Sequence, residues 1–485
     1  MSSVIPTVRE IFLLGGLLVF LLTFPTTYKP PTVSLSAIAR LRSNDYYGEE
    51  TEDVAPVTYE SRFSLQQLSA PLTWGVGQVP KTDIVVHVPG WTMFDRLYFK
   101  NGTFYIVTDN PEEVPDMKLV ISSGIPLTSG PADDLKRLPT EKDMKIINPD
   151  DAQKLFGTRA ERLDGVTWVA NDPKQFITHY YHWSAELIFG FWRAYSSLDP
   201  YIPPSGKTDL PAPRRMLFTR IDAANWRDYA AMNQWVLFNA FPSITMEFMD
   251  DWKERAASGH TYVFDRALLA DRAAAIHGHI FLRTQRTAAN AFALPGSVNW
   301  WEPLRNNVVG AAGVAPDKLM QYGERTPVIT YISRQGWGRR MLIQEHHERL
   351  VRELYKLRDL YGYEVNVVSM DKLSRAEQLI LSARTTIMMG VHGNGLTSLL
   401  WMKPTPRSTV MEFFFPGGFA HDYEYTSRAL GMVHYGFWGD RAFTRPDVPE
   451  VAYPEGFQGN EIPIDGELVA RICVERLSLS EEADD

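Results

Sequence analysis

One cysteine, Cys473, stands in 485 residues. A lone thiol excludes an intramolecular disulfide and any zinc site built on cysteines. Asp-x-Asp occurs nowhere in the chain, so no simple carboxylate clamp for Mg or Mn is visible. Positive charge is also scarce: 49 Lys and Arg face 58 Asp and Glu, a net charge of −9. That balance argues against a nucleic-acid partner. No internal repeat is found.

What is present is a globular composition, 45% hydrophobic and 22% charged, at a length that holds two or three domains with full cores. Part of the acidic excess is local, at Glu49, Glu50, Glu52 and Asp53 and at Glu481, Glu482, Asp484 and Asp485; such runs are usually solvated segments. Residues 11–24 are uncharged and apolar, closer in length to a signal-peptide core than to a comfortable membrane span. Extended to residue 28, and with no clear small-x-small cleavage site behind it, the run reads as a signal anchor rather than a cleaved signal. The expected layout is a cytoplasmic tail at 1–10, an anchor at 11–28 and a polar stem at 29–63. It implies a single-pass type II protein of the Golgi or ER membrane with its folded part in the lumen.

From residue 64 the pattern becomes that of a folded lobe. Residues 84–88 read as a strand, and 96–107 as a hairpin turning on Asn101-Gly102. Asn101-Gly102-Thr103 is also an N-glycosylation sequon. Residues 175–195 are strongly apolar and helical, with His182 and Glu186 four apart on one face and His179 three before His182. A histidine and a carboxylate on a buried face must find partners; the pair suits structure or acid–base work. A strand at 214–220, a helix at 228–240 and a strand at 261–264 continue an α/β alternation. Residues 291–323, rich in Pro and Gly around Trp300 and Trp301, read as the boundary between an N-terminal lobe (64–310) and a C-terminal lobe (311–445). A C-terminal extension with an acidic tail completes the chain at 446–485.

The second lobe reads most clearly. Strands at 328–332, 363–368, 385–391, 408–415 and 432–437 are separated by helices at 342–360, 374–383 and 423–430. Ser374-Arg375-Ala376-Glu377 is a capping box. The order βαβαβ implies a doubly wound parallel sheet, whose ligands bind beyond the carboxyl ends of the strands. There lies Gly390-Val391-His392-Gly393-Asn394-Gly395-Leu396-Thr397, a strand, a glycine turn and the first turns of an apolar helix. Its open amides suit an anion, phosphate above all. Arg334, Arg339 and Arg340 follow the first strand and can reach a diphosphate with forked bonds worth roughly 1.5–3 kcal/mol each. Glu412, ending another strand, can accept hydrogen bonds from ribose hydroxyls.

These residues resemble glycosyltransferase family 61. The likeness is carried by Tyr331-Ile332-Ser333-Arg334 with Arg339-Arg340, by Leu373-Ser374 to Glu377-Gln378, by the 390–397 turn, by Val410-Met411-Glu412-Phe413-Phe414, and upstream by Tyr181-His182-Trp183-Ser184-Ala185-Glu186. Asn394 stands where the family often has Ala, and Trp337 with its flanking glycines is unusual. The family includes secretory-pathway protein O-GlcNAc transferases and plant and fungal xylosyltransferases. The resemblance implies an α/β fold of two Rossmann-like lobes (GT-B type), a UDP-sugar donor carrying xylose or GlcNAc, a glycan or glycoprotein acceptor, and inversion at the anomeric carbon.

Inversion asks for one general base and for stabilisation of the departing diphosphate. The diphosphate falls to Arg334, Arg339, Arg340 and His392 through Thr397, with no metal required. The base falls to His182 oriented by Glu186, with His392 and Asp95 left open. The competing expectation is a catalytically inactive nucleotide-sugar or glycan-binding protein of the same fold.

Overall fold

The structure is a computed structural model. It describes residues 70–127, 131–315, 318 and 326–480, so the expected tail, anchor and stem and the terminal acidic run lie outside the described residues. Among the described residues no helix is long and apolar enough to cross a membrane.

Two sheets organise the described chain. The first holds β1 (Leu72–Thr73), β2 (Asp83–Val88), β3 (Trp91–Lys100), β4 (Thr103–Val107), β5 (Met144–Ile147), β6 (Arg159–Ala170), β7 (Arg215–Phe218), β8 (Thr245–Glu247) and β9 (Tyr262–Ala270). Its main path is β5-β4-β3-β9-β6-β7-β8, with β1 on β6 and β2 on β3. The run β9-β6-β7-β8 is parallel, but β3 pairs antiparallel with β2, β4 and β9. The expected α/β alternation therefore describes only half of this sheet. The other half is built on a hairpin, because a two-residue link can join only antiparallel neighbours. That link is Asn101-Gly102, with φ of 51° and 88°, the left-handed pair a tight hairpin turn demands. Asn101 is exposed at its tip.

Side chains alternate across the sheet as the pleat requires. Met93, Trp168, Ala170, Met216, Phe218 and Leu268 face one core, and Phe94, Val169, Leu217, Phe264 and Leu269 face another.

The second sheet holds β10 (Val328–Ile332), β11 (Glu364–Val368), β12 (Ile387–Val391), β13 (Thr409–Phe413), β14 (Val433–Trp438) and β15 (Arg441–Phe443). Its order is β11-β10-β12-β13-β14-β15, parallel throughout except for β15 at the edge. The doubly wound expectation is met here. Crossover helices cover Gln344–Tyr361, Arg375–Arg384 and His421–Ala429. Ser374 closes the expected capping box: its Oγ accepts from the Glu377 amide at 3.3 Å, and its amide donates to Glu377 Oε2 at 2.8 Å. Ile329, Tyr331, Met389, Met411 and Phe413 pack on one face with Leu350, Leu354, Val469 and Cys473. The segment expected as an extension thus contributes a helix, Gly466–Leu477, that covers the sheet.

The opposite face, carrying Ile332, Met388 and Val410, packs into the same core as Trp168, Trp183 and Phe189 of the first sheet's side. The expected boundary at 291–323 holds packed aromatics among its described residues. Trp300 and Trp301 are buried, and Trp301 Nε1 donates to Leu400 O at 2.8 Å. Two indoles represent roughly 150–250 Å² of burial each, which a solvated linker would forgo. The two sheets are flanks of one continuous core.

Trp301→Ala should therefore cost about 3–5 kcal/mol. Chemical unfolding followed by fluorescence and circular dichroism should show a single transition at lower denaturant.

Candidate functional site

In the second sheet the chain passes from β10 to β11 on one side of it, then back across to β12 on the other. In sheets of this kind ligands bind beyond the carboxyl ends where the order reverses. Ser333 and Arg334 leave β10 there, and His392 and Gly393 leave β12. The Arg334 guanidinium lies directly against Gly393: a Cβ at that glycine would sit 2.9 Å from Arg334 Nη1. Gly393 has extended backbone (φ 160°), so what favours glycine there is the close approach of the Arg334 tip, not conformation.

Arg334 forms no ion pair among the described residues. Its Nε is buried without a hydrogen-bond partner, and its guanidinium lies over the Trp337 ring, 5.5 Å from the centroid. Arg340 donates from Nη1 to His392 O at 3.3 Å and from Nε to Gln458 Oε1 at 2.6 Å. Burial holds both guanidinium pKa values below their ordinary range, with Arg340 and Arg339 adding to the depression of Arg334, and Arg339 to that of Arg340, against an opposing pull from Tyr423. Asp422 and Glu412 act on Arg340 only from a distance; two half-buried cations with no carboxylate ion pair among the described residues form a site that an anion relieves. Arg339, placed with them by sequence, is exposed.

The apolar helix expected after the turn is a 3₁₀ helix, Asn394–Trp401. Its three-residue period stacks Leu396 over Leu399 in the core and stretches the form beyond its usual three or four residues. Asn394 Oδ1 accepts from the Tyr181 amide at 3.2 Å and from Thr397 Oγ1 at 3.2 Å. A first-sheet segment therefore holds the second-sheet turn. Gly393, Asn394 and Gly395 open the helix, where amides have no intrahelical acceptor.

Glu412, expected to meet a ribose, is fully buried. Its Oε1 accepts from His392 Nδ1 at 2.5 Å and its Oε2 from His434 Nε2 at 2.9 Å. Glu412 lies in mid-sheet, paired in register with Gly390 on one side and Gly436 on the other. Its partners are histidines and not an open crevice.

The first-sheet half of the site is a charge network. The expected continuous α-helix at 175–195 is instead a short helix Lys174–Ile177, a π-helix His182–Ile188 and an α-helix Phe189–Tyr195. Such π-turns concentrate at functional sites. His182 Nδ1 lies 2.7 Å from Glu186 Oε2, and the imidazole keeps about a quarter of its surface in solvent. Glu186 is 2% exposed. It also takes Arg272 Nη1 at 2.5 Å, with Arg286 Nη1 3.5 Å from its Oε1. Arg272 reaches Asp172, and Arg286 reaches Asp422 at 2.7 Å. Asp172 follows β6 and Arg272 follows β9, both parallel strands ending on this side.

Burial alone would raise the Glu186 pKa, but Arg272, His182 and Arg286 together hold it well below the usual carboxylate range. Burial likewise would raise Asp422, but the Arg286 guanidinium beside it holds its carboxyl below the usual range. Tyr181 completes the join by donating from its hydroxyl to Asp422 O at 2.8 Å.

Asp95 is elsewhere. It forms a forked ion pair with Arg266, at 2.7 and 2.8 Å, four residues up β3 from Trp91, roughly 13 Å along the strand. The structure thus brings together His182, Glu186, Arg334, Arg340, His392, the turn and Glu412. Arg339 is exposed but acts on both arginines through its charge, and Asp95 is not brought in. Sequence reasoning missed Asp172, Arg272, Arg286, Asp422 and His434. The usable signal was position: a strand at 261–264 that runs on to Ala270 delivers Arg272 to a carboxyl end. Among the described residues no group of three or more His, Cys, Asp or Glu could hold a metal ion.

Residues 180–411 match a family model described as Glycosyltransferase 61. The match takes in His182, Glu186, Arg334, Arg340 and the whole turn, and ends one residue before Glu412. No curated protein matches the chain.

Glu186→Gln tests the charge network. A carboxylate with a depressed folded pKa adds stability above its unfolded value, near 4.3, and loses it as pH falls toward the folded one. The variant should lose about 3–5 kcal/mol at neutral pH, and its stability should fall less steeply than wild type below about pH 4.3. Urea unfolding across pH checks both.

Proposed function

We propose, from the match of residues 180–411 to a Glycosyltransferase 61 model, that the protein moves xylose or GlcNAc from a UDP-sugar to a hydroxyl of a glycan or glycoprotein, with inversion. The observation carrying this reading is the convergence of Arg334 and Arg340, both half-buried and with no carboxylate ion pair among the described residues, on the glycine turn at the switch point of a doubly wound sheet.

In this reading the acceptor oxygen bonds to the anomeric carbon from the face opposite the diphosphate. The carbon–oxygen bond to the diphosphate breaks, and its electron pair leaves with UDP. Arg334, Arg340 and the opening amides of the 3₁₀ helix receive the growing charge. The acceptor proton passes to His182, whose ring Glu186 orients through Nδ1. Arg272 and Arg286 fix that carboxylate, so the base is held by groups already ordered before substrate arrives. The two sheets would then serve as the donor and acceptor sides of a GT-B-type arrangement.

UDP should raise the melting temperature of the wild type, and Arg334→Ala should abolish the shift. His182→Ala should bind UDP normally yet lose about 10²–10⁴ in kcat, measured as UDP release from a panel of UDP-xylose and UDP-GlcNAc with glycan acceptors. Activity should survive EDTA; its complete loss would refute charge stabilisation by arginines alone. UDP binding with no turnover on any donor would favour a sugar-nucleotide-binding protein of the same fold.

A further inference from the structure

We propose that His392 is a catalytic residue that carries a proton against the leaving diphosphate, and that Glu412 and His434 are positioning residues that set its tautomer and charge. The proposal rests on the nucleotide-sugar reading of the crevice.

The three groups share one sheet face. His392 leaves β12 two residues after Gly390, Glu412 pairs with Gly390, and His434 sits on β14 opposite Val410, in step with Glu412. All three lie on the face that also carries Met388 and Val410. A carboxylate can only accept, so each facing ring nitrogen must donate. His392 therefore bears its hydrogen on Nδ1, and His434 bears one on Nε2.

The other nitrogens differ. His434 Nδ1 is buried and has no hydrogen-bond partner. A second proton there would be an unpaired buried N–H⁺, so His434 stays neutral and serves as a fixed donor. His392 Nε2 makes no hydrogen bond among the described residues, and the ring keeps 12% of its surface in solvent. The full charge of Glu412 is thus available to the one imidazole that can take a second proton.

The surroundings decide the sign. Glu412 faces the His392 ring from β13, and Asp422 and Tyr423 face it from helix His421–Ala429. Arg340 approaches from the segment after β10, bonded to the His392 carbonyl. Phe414 and Phe457 pack on the rest. Asp422 is already engaged by Arg286, and Arg340 opposes a second positive charge. A diphosphate lodged against Arg334 and Gly393 adds negative charge and tips the balance to imidazolium. The protonated Nε2 then donates to a diphosphate oxygen as the glycosidic bond breaks. The proton stays on His392 until UDP departs, while the acceptor proton goes separately to the base, so the step balances without another reactant.

Calorimetric UDP affinity measured from pH 6 to 8.5 tests this. Comparison of wild type with His392→Gln cancels the nucleotide's own titration. Relative to the variant, wild-type affinity should fall with rising pH, by up to about tenfold per pH unit, the slope of one linked proton. Glu412→Gln should move that fall to lower pH. His434→Gln, whose amide can replace the Nε2 donor, should leave it in place. Parallel profiles for wild type and His392→Gln, or an unmoved fall in Glu412→Gln, would overturn the proposal. If Glu412→Gln does not fold, wild type alone decides: titrations at pH 7.5 in buffers of different ionisation enthalpy should show net proton uptake on UDP binding, and none overturns it. No UDP binding at any pH overturns the nucleotide reading and this inference together; binding without the pH difference overturns this inference alone.

Discussion

Parallel pairing of β10 with β12 is the constraint on which the site depends. Ile332 stands opposite Gly390, so the chain leaves both strands at one level. That register alone puts the Arg334 guanidinium on the bare face of Gly393. A slip of one residue would turn Arg334 to the other face of the sheet. Pairing of β12 with β13 then aligns Gly390 with Glu412, which carries the His392 imidazole beside the same crevice. Arginine, amides and imidazole meet because three strands end together.

A second constraint works between the sheets. Glu186, Arg272, Arg286, Asp172 and Asp422 form a nearly buried set in which each carboxylate meets at least one guanidinium. Such pairs add little net stability over an apolar core, because desolvation offsets most of the attraction. Breaking one is costly, and geometry is what they secure. Here they hold His182 from below and tie the first sheet's strand ends to Asp422 on the second sheet's helix. Tyr181 follows the same line, bonded to both Asn394 and Asp422. The continuous core beneath, through Trp183, Phe189, Trp301 and Trp401, leaves this junction little freedom to shift.

Much of the donor side was legible in the chain. Short apolar runs bounded by turn residues marked β10, β12 and β13, the capping box marked helix Arg375–Arg384, and three glycines after a strand marked the crevice. The pair His182 and Glu186 was legible because its two members lie four residues apart. What escaped were helix type and long-range partners. Periodicity could not tell an α-helix from the π-turn at His182 or the 3₁₀ run after Gly393, since all three carry apolar residues at spacings of three to five. Glu412 was read as open because it ends an apolar strand; its burial comes from β14, whose His434 lies 22 residues on.

Local order was therefore determined by the sequence alone: which segments are strands, where the βαβ units turn, and which loop carries arginines and which glycines. Those features follow from side-chain periodicity and backbone sterics, which act over a few residues. The tertiary structure decided which charges are satisfied. Arg334 is left without a carboxylate ion pair among the described residues while Glu186 has two guanidinium neighbours, and neither fact is visible in the chain, because electrostatics and desolvation depend on distance in space between residues 86 or more positions apart.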